Sequence, residues 1–420
     1  MHLSTHLDVD VVAVETDSTL SMLLEIAAPA PDADSERADA TLEVVLDRSG
    51  SMHGAPLEGA KRALLELVDR LDPRDRFGLV AFDDEARVVV PAGPLTDKAA
   101  VKQAIAAVHA GGSTDLAAGY LRGLKEARRA ATAAGATLVL ISDGHANHGE
   151  TRPDVLGAVA AKARTQGVTT SSLGYGLGYD ERLLSAVARS GGGNEGFAEN
   201  PDAAAQAIAA EVDGLLSQAA QAATLLVAMS PQVRGLRVVN DLPANLVEQG
   251  VQVEIGGLYA GETRKLVLTF DVPRLPSLGL LQVAELALSW IALPSLEEQT
   301  VTVPVHVNVV PGDQATGRVP DPVVRTELAY LEAQRAKREA STLLSDGDVA
   351  GALRHLRTAG GTVAAAMAYA PASLRADLGE ESAVLADMIG DVESGAHARA
   401  AKLTSADATL KSRTRGRRRS

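Results

Sequence analysis

The chain of 420 residues contains no cysteine, which excludes disulfides, thiolate metal sites and cysteine nucleophiles. Aromatic residues make up only 3% of it, so its cores must be built from Leu, Val, Ile and Ala, and little is available to stack on nucleic-acid bases or sugars. Catalytic signatures are missing as well. No Gly-x-x-x-x-Gly-Lys-Ser/Thr loop occurs, which argues against a P-loop nucleotide hydrolase, and neither a Gly-x-Ser-x-Gly elbow nor His-Glu-x-x-His is found. The glycine-rich stretches 174–178 and 191–193 lack a strand-to-helix phosphate context and read as loops. No apolar run suffices to cross a bilayer: the longest candidate, 278–293, is interrupted by Gln282, Glu285 and Ser289. The N-terminus alternates polar and apolar residues and carries acids early, unlike a signal peptide. The expectation is a soluble, cytoplasmic protein.

What is present begins with length. A chain of 420 residues exceeds what one core usually supports, so two or three domains are expected, and a hydrophobic content of 46% is ample to fill them. The formal charge is −14 although the last ten residues are strongly basic, so the remaining body is more acidic still. Such a body suits cations and disfavours polyanions, and nucleic acid is not an expected partner except through the basic tail 411–420, which reads as disordered.

The hydrophobic pattern changes character along the chain. Two alternating runs, 6–15 and 19–26, read as a hairpin, with a linker following up to residue 37. Over 38–218, short apolar runs (42–46, 76–82, 86–90, 137–141, 169–173 and 196–198) alternate with helical stretches. That is the pattern of a doubly wound, mostly parallel α/β sheet. From 219 to 312 the helices stop, and six β-branched or alternating runs punctuated by Pro and Gly predict an antiparallel β-sandwich. A hairpin has too few strands to stand alone, so residues 1–37 are expected to complete that sandwich. Residues 313–410 turn helical again, with helices predicted over 323–345, 349–358 (ended by Gly360-Gly361), 362–369, 372–377 and 380–402.

Three short motifs carry chemistry. The first strand of the wound domain runs straight into Asp47-Arg48-Ser49-Gly50-Ser51. In a parallel α/β sheet ligands bind at the carboxyl ends of strands, and the i, i+2, i+4 spacing can gather three oxygen side chains around one centre, with Gly50 allowing the loop to bend. Gly111-Gly112-Ser113-Thr114-Asp115 then opens a helix, and Ile141-Ser142-Asp143-Gly144 closes a later strand. Taken singly, each has an ordinary reading as a turn or a helix cap. Together they offer hard oxygen donors, which suit Mg²⁺, Mn²⁺ or Ca²⁺.

On these motifs, residues 38–218 resemble a von Willebrand factor A (VWA) domain with a metal-ion-dependent adhesion site. The resemblance covers a little over two-fifths of the chain. It implies metal ligands Asp47, Ser49, Ser51, Thr114 and Asp143: Ser49 and Ser51 bind the cation directly, Thr114 and Asp143 alternate between direct and water-bridged contact, and Asp47 acts through water. It further implies Mg²⁺ as the first choice of cation, an open coordination position for a partner protein's Asp or Glu, and a two-state movement of the last helix, 201–218. In intracellular bacterial relatives such domains act as assembly or substrate-recruiting factors. Arg48 is expected to point outward, His145 and His148 to sit on the rim without forming a zinc site, and the acid pairs Asp83-Asp84 and Glu380-Glu381 to be solvated. No residue is given a catalytic role. Two other readings stay open: a metal-assisted hydrolase using the same site, and a scaffold with a purely structural cation.

Overall fold

The computed structural model describes residues 1–30 and 37–412. Near the N-terminus lie β1 (His2–Leu7), β2 (Val11–Ala13) and β3 (Ser18–Ala27). The wound segment follows with β4 (Thr41–Asp47), α1 (Ala55–Arg70), β5 (Arg76–Phe82), β6 (Ala86–Pro94), α2 (Lys98–Ala106), α3 (Leu116–Ala130), β7 (Ala136–Ser142), α4 (Pro153–Arg164), β8 (Val168–Tyr175), α5 (Glu181–Gly191), β9 (Gly192–Ala198) and α6 (Pro201–Leu216). Then come β10 (Gln218–Met229), β11 (Gly235–Val238), β12 (Ala244–Val247), β13 (Gly250–Tyr259), β14 (Thr263–Val272), β15 (Gly279–Ala292) and β16 (Glu298–Val310). Last are α7 (Gly312–Ala315), α8 (Pro322–Ser345), α9 (Val349–Met367), α10 (Ala372–Glu393) and α11 (His397–Ser412).

The described chain divides into two compact units, one formed by Met1–Ala30, Ala222–Ile291 and Glu298–Ser420, the other by Pro31–Gln221 and Ala292–Glu297. In the second unit six strands form one sheet in the order β6-β5-β4-β7-β8-β9. Every pairing is parallel except that of β6 with β5. The sheet has apolar packing on both faces: Leu42, Val44 and Leu46 of β4 join one buried cluster with α1 and α6, and Val45 joins another with α3, α4 and α5. This is a doubly wound, mostly parallel α/β fold. It explains why the strands read as short continuous apolar runs, since a sheet covered on both sides has no solvent face.

One residue breaks that pattern. Glu43 in the central strand β4 is fully buried, and among the described residues neither carboxylate oxygen has a hydrogen-bond partner. Its carboxyl lies over Gly78, where an added Cβ would fall 1.9 Å from Oε2. Burial, reinforced by the nearby Glu126 charge, pushes its pKa up from 4.5 to about 9. A proton is therefore held in the fold that the unfolded chain would release. Because the folded state binds more protons between those two values, stability falls as pH rises from about 4.5 toward about 9. Glu43→Gln should flatten that decline in urea unfolding curves taken across this range; an unchanged slope would show that Glu43 is not its source.

The first unit holds two sheets, β1-β3-β14-β11 and β12-β13-β10-β15-β16-β2. The expected N-terminal hairpin is instead three strands. β1 pairs antiparallel with β3, which pairs in turn with β14, while β2 leaves for the other sheet and runs parallel to β16. The break falls at Asp8, whose Oδ1 accepts the N–H groups of both Val9 and Ser21 at 2.9 Å and so turns the chain out of the strand. The sequence pattern also missed β12, four residues that are mostly exposed and so carry no alternation.

The helical segment corrects several expectations. Gly360-Gly361 does not end a helix: α9 runs through both, because Ala359, Val363 and Ala366 are buried in the core and outweigh a glycine cost of roughly 1 kcal/mol each. A single helix, α10, replaces the predicted 372–377 and the start of 380–402. It ends near Gly395, whose φ of +88° suits glycine. Lys411 and Ser412, assigned to the disordered tail, are instead buried residues of α11, and the rest of the tail, 413–420, lies outside the described residues. Glu381, expected to be solvated, is fully buried between Lys337 and Lys411. Leu23 and Val267 of the sheet share one buried cluster with α8, α9 and α10. Among the described residues no helix is long and apolar enough to cross a membrane.

Candidate metal site

The site begins with β4. Flanked on both sides by parallel neighbours and buried along its whole length, this strand carries Asp47 to the carboxyl edge of the sheet. Asp47 is itself fully buried, and both of its oxygens are engaged: Oδ1 accepts the N–H of Ser49 at 2.8 Å, and Oδ2 accepts the hydroxyl of Ser142 at 2.6 Å. The first bond folds the chain back into a short 3-10 turn at Gly50–Met52, pinned by the buried Met52. The second ties the end of β4 to the end of β7.

The second loop is held against the first by backbone. Gly111 N–H donates to the Arg48 carbonyl at 2.8 Å, and Gly50 N–H donates to the Gly112 carbonyl at 3.1 Å. Gly112 has a φ of +75°, and a Cβ there would meet Asp84 Oδ1 at 2.3 Å, so the close approach requires glycine. Asp115 caps α3 by accepting the N–H of Ala118, which leaves Thr114 just ahead of the helix, buried, with its hydroxyl free of the capping role. The third loop then closes on it. Asn147 Oδ1 accepts the Thr114 N–H at 3.1 Å, and the Thr114 carbonyl accepts the N–H groups of Asn147 and His148.

The side chains meet between these loops. Ser49 Oγ and Ser51 Oγ are 3.1 Å apart, and Ser51 Oγ donates to Asp143 Oδ1 at 2.7 Å. Thr114 Oγ1 and Ser51 Oγ both border Gly144, at 3.3 and 3.4 Å from the position its Cβ would take. Ser49, Ser51, Thr114 and Asp143 are therefore drawn together, with Asp47 behind them. Arg48 does not point outward: its guanidinium turns onto Asp83 at 2.5 Å and reaches the His109 carbonyl, so Asp83 is a buried ion-pair partner and not a solvated acid. The rim histidines stay apart from the cluster. His145 is two-thirds exposed and nearest Asp180, while His148 Nδ1 accepts the N–H of Gly149. Among the described residues no three His, Asp or Glu side chains are arranged to hold a metal, so any cation here must rely on the hydroxyls.

Two supporting residues escaped the sequence reading. Ser142 orients Asp47 and Asn147 fixes Thr114. Ser142 was visible only as the residue before Asp143, and nothing local marks which strand end it faces.

Burial dominates the electrostatics of the two carboxyls. Burial pushes the Asp143 carboxyl up from 3.8 to about 6, with the Asp47 charge adding to the effect and the Ser51 hydrogen bond opposing it. Burial also raises Asp47, against the bonds from Ser142 and Ser49. Two desolvated carboxyls beside three hydroxyls form a donor set that fits a hard divalent cation, which would favour their charged forms. In chelator-treated protein the raised Asp143 value means that the folded state retains a proton, so stability should decline as pH rises between about 4 and about 6. Asp143→Asn should remove that part of the decline and leave the chelated protein at neutral pH no less stable than the parent, as read by thermal melting; a large loss of stability would contradict it.

Comparison with known proteins agrees with the fold. Residues 42–211 match the family model for the von Willebrand factor type A domain, and this segment of the chain is a VWA domain. Over most of its length the chain is similar to the uncharacterized protein sll0103 of Synechocystis sp., at 29% identity over 355 residues, covering 82% of this chain and 83% of that protein. Two solved structures share the fold along nearly the whole chain. One is the von Willebrand factor type A protein from Catenulispora acidiphila, with a TM-score of 0.73, 17% identity and coverage of 99% of this chain and 97% of that one. The other is the ArnB paralog VWA2 from Sulfolobus acidocaldarius, with a TM-score of 0.69, 15% identity and coverage of 100% and 99%.

Proposed function

We propose that the VWA domain is a metal-dependent protein-interaction module, holding one divalent cation between Ser49, Ser51, Thr114, Asp47 and Asp143 and accepting a partner protein's Asp or Glu as a further ligand. The observation that carries this reading is the continuous oxygen cluster in which Ser51 Oγ contacts both Ser49 Oγ and Asp143 Oδ1, with Thr114 Oγ1 beside it. VWA domains are typically modules of this kind. Mg²⁺ is the first candidate, with Ca²⁺ and Mn²⁺ as alternatives, since all three take oxygen ligands.

When bound, the cation would supply an electrophilic centre for the partner's carboxylate. The protein's own residues do the rest. Asp47, held by Ser142 and the Ser49 N–H, supplies negative charge from behind, and Asp143 supplies it from the side. Three neutral hydroxyls add donors without further charge, so two carboxylates balance a divalent ion and leave it attractive to a third. The role is binding, and no residue is assigned to catalysis.

Melting with and without chelator tests the cation. At about 100-fold excess over its dissociation constant, a cation that binds only the folded state adds about 2.7 kcal/mol. The double variant Ser49→Ala, Ser51→Ala should lose that increment while folding normally in chelator. Partner capture from extract by the parent chain in Mg²⁺ should disappear both with chelator and in the double variant. Capture that persists without the thermal increment would leave the cation a structural role only and sink the proposal.

A further inference from the structure

The last helix of the first unit is seated differently from its neighbours. α8, α9 and α10 are joined by large apolar side chains, among them Tyr330, Leu344, Leu356, Val363, Leu385 and Met388. α11 gives that cluster only Ala400 and Ala401. Yet it is deeply inserted, with Lys402, Thr404, Thr409, Lys411 and Ser412 all buried. A helix with polar residues on its buried side gains little from the hydrophobic effect, so its position must be set by polar contacts.

Those contacts form a closed ring of alternating charge across three helices. Lys337 of α8 meets Glu381 of α10 at 2.5 Å, and Glu381 meets Lys411 of α11 at 2.8 Å. Lys411 meets Asp407 one turn earlier at 3.0 Å, and Asp407 closes the ring on Lys337. Lys337 and Glu381 have no solvent exposure, and Asp407 keeps about a quarter of its own. Burial alone would raise the Glu381 pKa, but the two lysines outweigh it and hold the carboxyl below its usual range. For Lys411 burial pulls downward, while Asp407 and Glu381 more than compensate. The charged forms of Glu381 and Lys411 are thus both favoured by their partners in the ring.

Further contacts hold the seat, among them Ser341 Oγ donating to the Ala401 carbonyl at 2.8 Å, Asn240 Nδ2 donating to the Ser412 carbonyl at 3.0 Å, and an ion pair of Arg399 with Asp391 of α10. Imperfections remain. Thr404 Oγ1 and Gln334 Oε1 are buried without hydrogen-bond partners among the described residues, a cost that opening would relieve. The connection to α10 is short and exposed, through Ser394 and Gly395.

We infer that α11 is a detachable arm, locked in register by the Lys337–Glu381–Lys411–Asp407 ring, which swings out at Ser394–Gly395 as one piece while α8, α9 and α10 stay packed. Opening would uncover a polar groove lined by Gln334, Lys337, Ser341 and Glu381. A balanced buried ring is well suited to such a device: intact it tolerates only one register, and loss of a single member leaves an uncompensated charge.

Native-state hydrogen exchange on the full chain in low urea tests this. In the parent protein, amides of α11 should exchange through an opening that leaves α8 and α9 protected, at least about tenfold faster than theirs. Lys337→Met should speed α11 exchange by about a hundredfold or more, the factor expected from breaking a buried pair, with α8 and α9 little changed. The double variant Lys337→Met, Glu381→Gln leaves Lys411 balanced by Asp407 and should recover most of the protection, which simple loss of packing would not. Should the Lys337 variant fail to fold, Asp407→Asn opens the ring at its partly exposed corner and should give the same ordering more weakly. Exchange of α11 in step with α8 and α9 in every protein, or no response to any of these changes, would overturn the inference.

Discussion

The organisation of the VWA domain depends on one buried carboxylate. Asp47 stands at the end of the central strand of a mostly parallel sheet, out of reach of water, where an ionised acid is costly unless it is hydrogen-bonded. Its two oxygens take the N–H of Ser49 and the hydroxyl of Ser142, and these bonds give the first loop its turn and join it to the end of a neighbouring strand. The remaining loops are then set largely by backbone, through Gly111 to Arg48 and Thr114 to Asn147 and His148, with the Asn147 side chain accepting the Thr114 N–H. Three stretches far apart in sequence thereby become one oxygen-lined cluster.

Both units bury ionisable groups, with different consequences. In the VWA domain burial pushes the carboxyls of Asp47 and Asp143 toward their protonated forms. That is compatible with the cation proposed for the site. In the helical part of the other unit the buried charges are matched one for one, and the ring of Lys337, Glu381, Lys411 and Asp407 needs nothing from outside. Balanced buried charge of this kind specifies a geometry. Glu43 is a third case, a lone carboxyl whose burial is tolerated because it keeps its proton.

Much of this was legible in the order of residues. The alternation of apolar runs with helical stretches over 38–218 reports a sheet covered on both faces, because strands without a solvent side lose their period-two signal. The ligand candidates were legible too, since Asp47, Thr114 and Asp143 each follow a strand or precede a helix and so fall at one edge of the sheet. Less was visible where a contact joins distant segments. Arg48 looked outward-facing because nothing nearby in sequence claims it, yet Asp83 does so in space. Glu381 and Lys411 looked like surface charges because their partners lie on other helices.

Composition and pattern thus determined the element types, the succession of sheet and helix, and the set of oxygen donors, all of which depend on local conformation and on which face of an element must be apolar. The tertiary structure decided which donors meet, which charges are buried, where the first strand breaks at Asp8, and that two glycines could remain inside α9. These outcomes turn on long-range contacts whose energies exceed local preference, and a one-dimensional pattern carries no record of which segments will be brought together to make them.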